Sequence, residues 1–99
     1  MAKYGGTVYI VCNFNHNVRY IGVTSNLFAR ITEHREKAHP DSFTARYNCS
    51  KLVYFENFGR IEEAIYREKQ LKKWKRAWKM DLITSFNPEW CDFFETLDN

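Results

Sequence analysis

The chain is poor in cysteine, proline and glycine and has no long hydrophobic run, and each shortage removes a class of protein. Cys12, Cys49 and Cys91 are odd in number, far apart and without C-x-x-C spacing, which argues against a disulfide framework or a zinc module. Cys12 and His16 supply half a metal-ligand set, but no second pair stands at ligand spacing. No apolar stretch approaches the ~18 residues of a membrane span, and the opening residues Met1 to Gly6 do not resemble a secretory leader. A soluble, cytoplasmic protein is expected, and Asn48-Cys49-Ser50 then carries little weight as a glycosylation acceptor. With only Pro40 and Pro88, there is no proline-rich linker; no repeat or low-complexity tract divides the chain either.

What is present is a core. An apolar fraction of 44 %, with 17 % aromatics, is enough for one folded domain over residues 1 to 99. Thr7 to Val11 and Tyr20 to Thr24 read as strands joined by an Asn-rich turn, Asn13-Phe14-Asn15-His16-Asn17. A turn centred between Phe14 and Asn15 makes Tyr9 and Tyr20 direct cross-strand neighbours on one sheet face. Such a pair is also a common way to stabilise a hairpin. Thr24 or Ser25 can cap a helix from Asn26 to about Arg35, with Leu27, Phe28 and Ile31 at helical spacing. Glu36 to Ser50 reads as a long polar loop, and Lys51 to Phe58 as a third strand closed by Gly59.

A helix follows, with Glu62 and Glu63 in its first turn, and a helical pattern continues from Trp74 to Ser85 until Asn87-Pro88. A short last segment holds Trp90, Phe93 and Phe94. The expected fold is α+β: a small three-stranded antiparallel sheet covered by helices, in the order β-β-α-β-α-α.

Charge is unevenly placed. The net charge is +3, yet Arg67 to Lys79 carries seven basic residues and one acid, Glu68, while the tail from Glu89 onward is acidic. The basic run, interleaved with Trp74 and Trp78, fits a polyanion or, equally, a solvated amphipathic helix with two core tryptophans. Glu68 falls seven residues after Ile61, on the stripe that Ile61, Ala64 and Ile65 define, so its carboxylate is aimed inward. A buried carboxylate needs a cation, a metal or a cleft. Arg30 and His34, four residues apart, share a helix face beside Leu27 and Ile31. They can bind phosphate and position a water, or be an ordinary exposed pair.

These residues occur together in a recognisable order. The sequence resembles the GIY-YIG nuclease superfamily through Thr7-Val8-Tyr9, Tyr20-Ile21-Gly22, Arg30 and Glu68. Within it, the chain is most similar to small stand-alone bacterial members through Tyr20 to Leu27, Phe43-Thr44-Ala45-Arg46-Tyr47-Asn48, Arg67 to Trp74 and Asn87-Pro88-Glu89-Trp90. The resemblance covers about residues 7 to 90, leaving residues 91 to 99 as an acidic tail. The first tripeptide has Thr7 in place of glycine and Val8 in place of isoleucine, and Val23 stands where some members carry a lysine.

The resemblance implies metal-dependent hydrolysis of phosphodiester bonds, in DNA rather than RNA. It makes Glu68 the sole protein ligand of one divalent cation, Mg²⁺ or Mn²⁺, Arg30 the phosphate-binding cation, and Tyr9 or Tyr20 the activator of water, with Tyr9 preferred and His34 beside them. Asn87 is the candidate for an asparagine that shapes the site. Lys69, Lys72, Lys73 and Arg76 would guide the nucleic-acid backbone, and Arg46 and Tyr47 would help to hold it. No recognition helix is visible, so specificity is expected from DNA structure or from a protein partner. The rival readings are a nucleic-acid-binding module without turnover and a protein-interaction adaptor that uses Trp78, Trp90 and Phe94.

Overall fold

The computed structural model describes residues 5 to 97; Met1 to Tyr4, and Asp98 and Asn99 of the acidic tail, lie outside the described residues. Three strands, β1 (Gly6–Cys12), β2 (Arg19–Thr24) and β3 (Lys51–Phe58), form an antiparallel sheet in the order β2-β1-β3. Helices α1 (Leu27–Glu36), α2 (Phe43–Arg46), α3 (Ile61–Lys73) and α4 (Arg76–Phe86) and a 3-10 turn at Phe93–Thr96 complete the fold. The expected α+β class, with its antiparallel three-stranded sheet, is the one observed.

Strand β1 is central and buried along its whole length, so its two faces feed two cores. Val8, Ile10 and Cys12 face Leu71 of α3 and Ile83 of α4, whereas Tyr9 and Val11 face Ile31 of α1 with Cys49 and Leu52. Alternation along one strand thus sorts the helices into two layers.

The hairpin register differs from expectation by two residues. Tyr9 pairs with Gly22, and Tyr20 with Val11, so the tyrosines are diagonal neighbours on the same face rather than directly opposite. The turn is centred one residue later than its composition suggested. Asn13 Oδ1 accepts from the backbone N–H groups of Asn17 and Val18, 3.0 Å each, and His16, not an asparagine, takes the left-handed conformation with φ 62°.

The cap of α1 is also shifted: Asn26 accepts from Ala29 N, while Thr24 Oγ1 accepts from Asn26 N just before the helix. The presumed loop from Glu36 to Ser50 contains α2, one turn capped by Ser42. Helix α3 begins with the expected Glu62 and Glu63. It stops at Lys73, and Trp74 and Lys75 are extended before α4 resumes, so the bend in the helical pattern is a break.

Candidate active site

Tyr9 leaves the central strand toward α1 and lies against β2 at the residue opposite, Gly22. A Cβ built on Gly22 would stand only 2.5 Å from Tyr9 Cζ, so the phenol occupies the space that a side chain at 22 would need. The Tyr9 hydroxyl is 2.9 Å from His34 Nε2, and the charge of Arg30 acts on it. The other nitrogen of His34, Nδ1, is 2.9 Å from Thr44 Oγ1, and Thr44 Oγ1 is 3.3 Å from Ser42 Oγ. With its hydrogen on Nδ1, the imidazole donates to Thr44 and accepts the phenol O–H at Nε2.

This chain of polar groups forms the back of a cleft of about 400 Å³ lined by Tyr20, Arg30, Glu33, His34, Ser42 and Phe43, with Thr44 among its walls. Tyr20 stands 6.5 Å from Tyr9 and 6.0 Å from His34, ring centre to ring centre. Arg30 reaches Glu33 at 3.2 Å on the solvent side. Tyr9, Tyr20, Arg30 and His34, all anticipated from the sequence, therefore converge. Thr44, Ser42 and Glu33 were not anticipated. The signal for Thr44 was its place in the segment beginning at Phe43, but four residues are too few to show a helical period.

Burial pushes the Tyr9 phenol up to about 12, against the lowering influence of Arg30. His34 is shifted the other way: burial first, and then the charge of Arg30, lowers its pKa below the ordinary 6.5. The site at neutral pH is a protonated phenol facing a neutral imidazole, a donor matched to an acceptor.

Glu68 is not part of that cleft. It projects from α3, on the layer across the sheet, between the buried Ala64 and Leu71, and is 19 % accessible. Its inward aim is as expected, although Ile65, placed on the same stripe, is 38 % exposed. Glu68 Oε2 pairs with Lys72 Nζ at 3.2 Å. Asn87 does not line the cleft either. It is buried and donates to the Val53 and Cys91 carbonyls at 3.1 and 2.8 Å, while accepting from Cys91 N at 3.0 Å. Val53 is the extra residue where β3 slips against β1, and the Asn87 amide satisfies its carbonyl.

Arg46 and Tyr47 lie at the α2 side of the cleft, where Tyr47 packs on Phe43 at 4.8 Å. Lys69, Lys72, Lys73 and Arg76 belong to the α3/α4 layer. Trp74 packs against the core and Trp78 is exposed. Among the described residues there is no cluster of three metal-ligating side chains, and no helix is long and apolar enough to cross a membrane.

Residues 5 to 81 match the model of the GIY-YIG catalytic domain family. The chain belongs to the GIY-YIG family. Over 70 residues it is 36 % identical to a UPF0213 protein of Syntrophus aciditrophicus, covering 71 % of this chain and 79 % of that one. It is 43 % identical over 70 residues to a UPF0213 protein of Clostridium perfringens, covering 67 % and 70 %. No solved structure matches significantly. The GIY-YIG family is a nuclease family, so nucleic acid is the substrate class that membership indicates.

One consequence for this GIY-YIG domain concerns stability. Burial pushes Tyr9 and Tyr54 up to about 12 and the Cys12 thiol up to about 11, and Tyr54 also donates to Glu56 at 2.8 Å. In the unfolded chain phenols ionise near ~10, so between ~10 and ~12 the native state holds more protons and stability falls as pH rises. Urea midpoints should be steady below pH ~8, begin to drop as the unfolded thiol ionises near ~8.5 and fall further above ~10, with a shallower drop in Tyr54→Phe. A midpoint unchanged up to pH ~12 would contradict the burial of these groups.

Proposed function

We propose that this chain is an endonuclease that hydrolyses phosphodiester bonds in DNA, with Tyr9 as general base and His34 as the acceptor of its proton. Arg30 is the phosphate-binding cation and Glu68 the ligand of one Mg²⁺ or Mn²⁺. The observation that carries the reading is the Tyr9 hydroxyl held 2.9 Å from a neutral His34, with the positive charge of Arg30 acting on the phenol. A phenol whose pKa lies near 12 cannot act as a base alone at neutral pH. Passing its proton to His34 Nε2 leaves a phenolate beside the Arg30 guanidinium, and that phenolate can take a proton from water.

Tyr9 is favoured over Tyr20 because a hydrogen-bonded acceptor stands ready for its proton. Tyr9 is buried in the free chain, with Arg30 and His34 between its hydroxyl and the cleft. Arg30 exchanges Glu33 for a phosphate oxygen and, staying beside the phenol, neutralises charge that develops on the phosphoryl group. Thr44 holds the imidazole in the accepting orientation.

Glu68 fits a hydrated cation. It is one half-buried carboxylate whose single ion-pair partner among the described residues is an exposed lysine, and Mg²⁺ or Mn²⁺ binds through few protein oxygens and keeps its waters. Because Glu68 stands on the α3 layer and does not line the tyrosine cleft, a cation bound there would offset charge on the leaving 3′ oxygen only with the DNA strand bridging the two places. Arg46 and Tyr47 at the cleft mouth, and Lys69, Lys72, Lys73 and Arg76 on the other layer, are the proposed backbone contacts, with a partner protein or DNA structure supplying specificity. A cytoplasmic location accords with this reading.

The test is incubation of the purified protein with linear and branched DNA in Mg²⁺ or Mn²⁺. Cleavage is expected, is abolished by EDTA, and is weakened in Glu68→Gln with partial recovery at high Mn²⁺. Cleavage that survives both EDTA and Glu68→Gln overturns the metal assignment. The Glu68–Lys72 ion pair favours one rival, a DNA-binding module whose carboxylate is held by Lys72 and takes no metal. That rival predicts affinity without turnover in the same assay.

A further inference from the structure

A second concavity lies on the other side of the sheet. It has a volume of about 330 Å³, the buried Ile10 and Ile21 at its floor, and walls that carry Arg19, Arg76 and Lys79 with no acidic residue. Arg19 pairs with Cys12 across the hairpin, and Cys12 faces α3 and α4, so Arg19 points away from the tyrosine cleft. Its guanidinium is held by the His16 carbonyl at 3.3 Å. None of the three cations is in a salt bridge among the described residues, whereas Arg67 and Lys72 are paired with Glu56 and Glu68.

Three cations gathered over an apolar floor repel one another, and burial together with the charge of Arg76 lowers the pKa of Arg19. The start of α4 adds to the strain: Lys75, Arg76 and Lys79 cluster at a helix N-terminus that has no acid in its first turn, the reverse of what the helix dipole favours. An anion relieves all of these costs.

We infer that Arg19, Arg76 and Lys79 form a second phosphate site, which holds the nucleic-acid backbone at a distance from the scissile bond. The inference rests on nucleic acid being the substrate. Its placement favours a polymer over a free anion: Arg19 and Tyr20 are consecutive residues of the edge strand β2 and point to opposite layers. A backbone that wraps this edge meets the tyrosine cleft on one side and the three cations on the other. Bidentate arginine contacts suit phosphodiester oxygens, and such contacts give affinity without sequence preference.

The experiment measures anisotropy of a fluorescein-labelled DNA duplex in EDTA, with the parent and with Arg19→Gln/Arg76→Gln/Lys79→Gln. The triple variant should bind about tenfold or more weakly. Its slope of log affinity against log salt should be shallower by roughly 0.9 for each phosphate that it no longer neutralises. In Mg²⁺ its KM should rise by a similar factor while kcat holds. Circular dichroism and melting check the fold, and Arg76→Gln alone, at an exposed position, should shift affinity in the same direction if the triple variant folds poorly.

Equal affinity and slope in parent and variants overturn the inference and leave the nuclease reading untouched. A parent that binds no DNA overturns that reading itself. Inorganic phosphate at matched ionic strength supplies the last arm: loss of phosphate-induced thermal stabilisation in the variant, with DNA affinity unchanged, reduces the site to a small-anion site and overturns the backbone role.

Discussion

Tyr9→Phe is expected to slow DNA cleavage by about 10²- to 10⁴-fold, the range associated with a positioned general base, with little change in DNA affinity. The ring stays in its pocket against Gly22, so packing is kept and only the hydroxyl and its bond to His34 are removed. The missing hydrogen bond costs about 1 kcal/mol of stability, far too little to unfold the chain. Tyr20→Phe should be the milder change, because no described side chain is poised to receive its proton.

Protonation of His34 blocks the relay, so parental cleavage should decline on an acid limb that lies below the ordinary histidine value of ~6.5, in keeping with its lowered pKa. Single-turnover rates across pH decide the matter. A Tyr9→Phe enzyme at parental speed beside an inert Tyr20→Phe would exchange the roles of the two phenols.

Gly22→Ala is expected to damage fold and activity together. The added methyl would lie 2.5 Å from Tyr9 Cζ, and the object it meets is a buried ring on the central strand, not the free end of a surface side chain. Relief requires the phenol to tilt. Overpacking of this kind costs ~1–3 kcal/mol, which lowers the melting temperature of a domain this size by about 4 °C or more. The larger effect falls on cleavage, because a tilt of the ring lengthens the 2.9 Å link to His34, and misplacements of about 1 Å can cost ~10²-fold. Melting curves and cleavage rates on the same preparation check both effects. An alanine variant that matches the parent in both would show that the ring moves aside freely.

The sequence carried the fold and half the site through parity and period. Tyr9 and Tyr20 share a face under either hairpin register, because a slip of two residues preserves alternation, so the error in centring the turn left the site intact. The turn itself was obscured because Asn13 acts through its side chain from outside it, and a histidine accepts the left-handed conformation. Glu68 was legible as an inward carboxylate from its place seven residues after Ile61, on the stripe of Ile61, Ala64 and Ile65. Periodicity did not reveal that α3 lies on the opposite layer from α1, because layer assignment depends on how the strands alternate in the assembled sheet. Asn87 shows the same limit. A buried asparagine reads alike whether it shapes a site or, as here, closes a bulge in β3.

The two halves of the phenol–imidazole pair belong to parts of the molecule with very different resistance to opening. Tyr9 hangs from β1, paired on both sides and buried throughout, where backbone amides are expected to exchange with solvent only when the whole domain unfolds. His34 and Arg30 ride on α1, a ten-residue helix with Ile31 as its one buried anchor. Amide protons of α1 should therefore exchange orders of magnitude faster than those of β1. The cleft can breathe by excursions of one wall while the phenol stays fixed, and a bound backbone that quiets α1 would register first in the exchange of that helix.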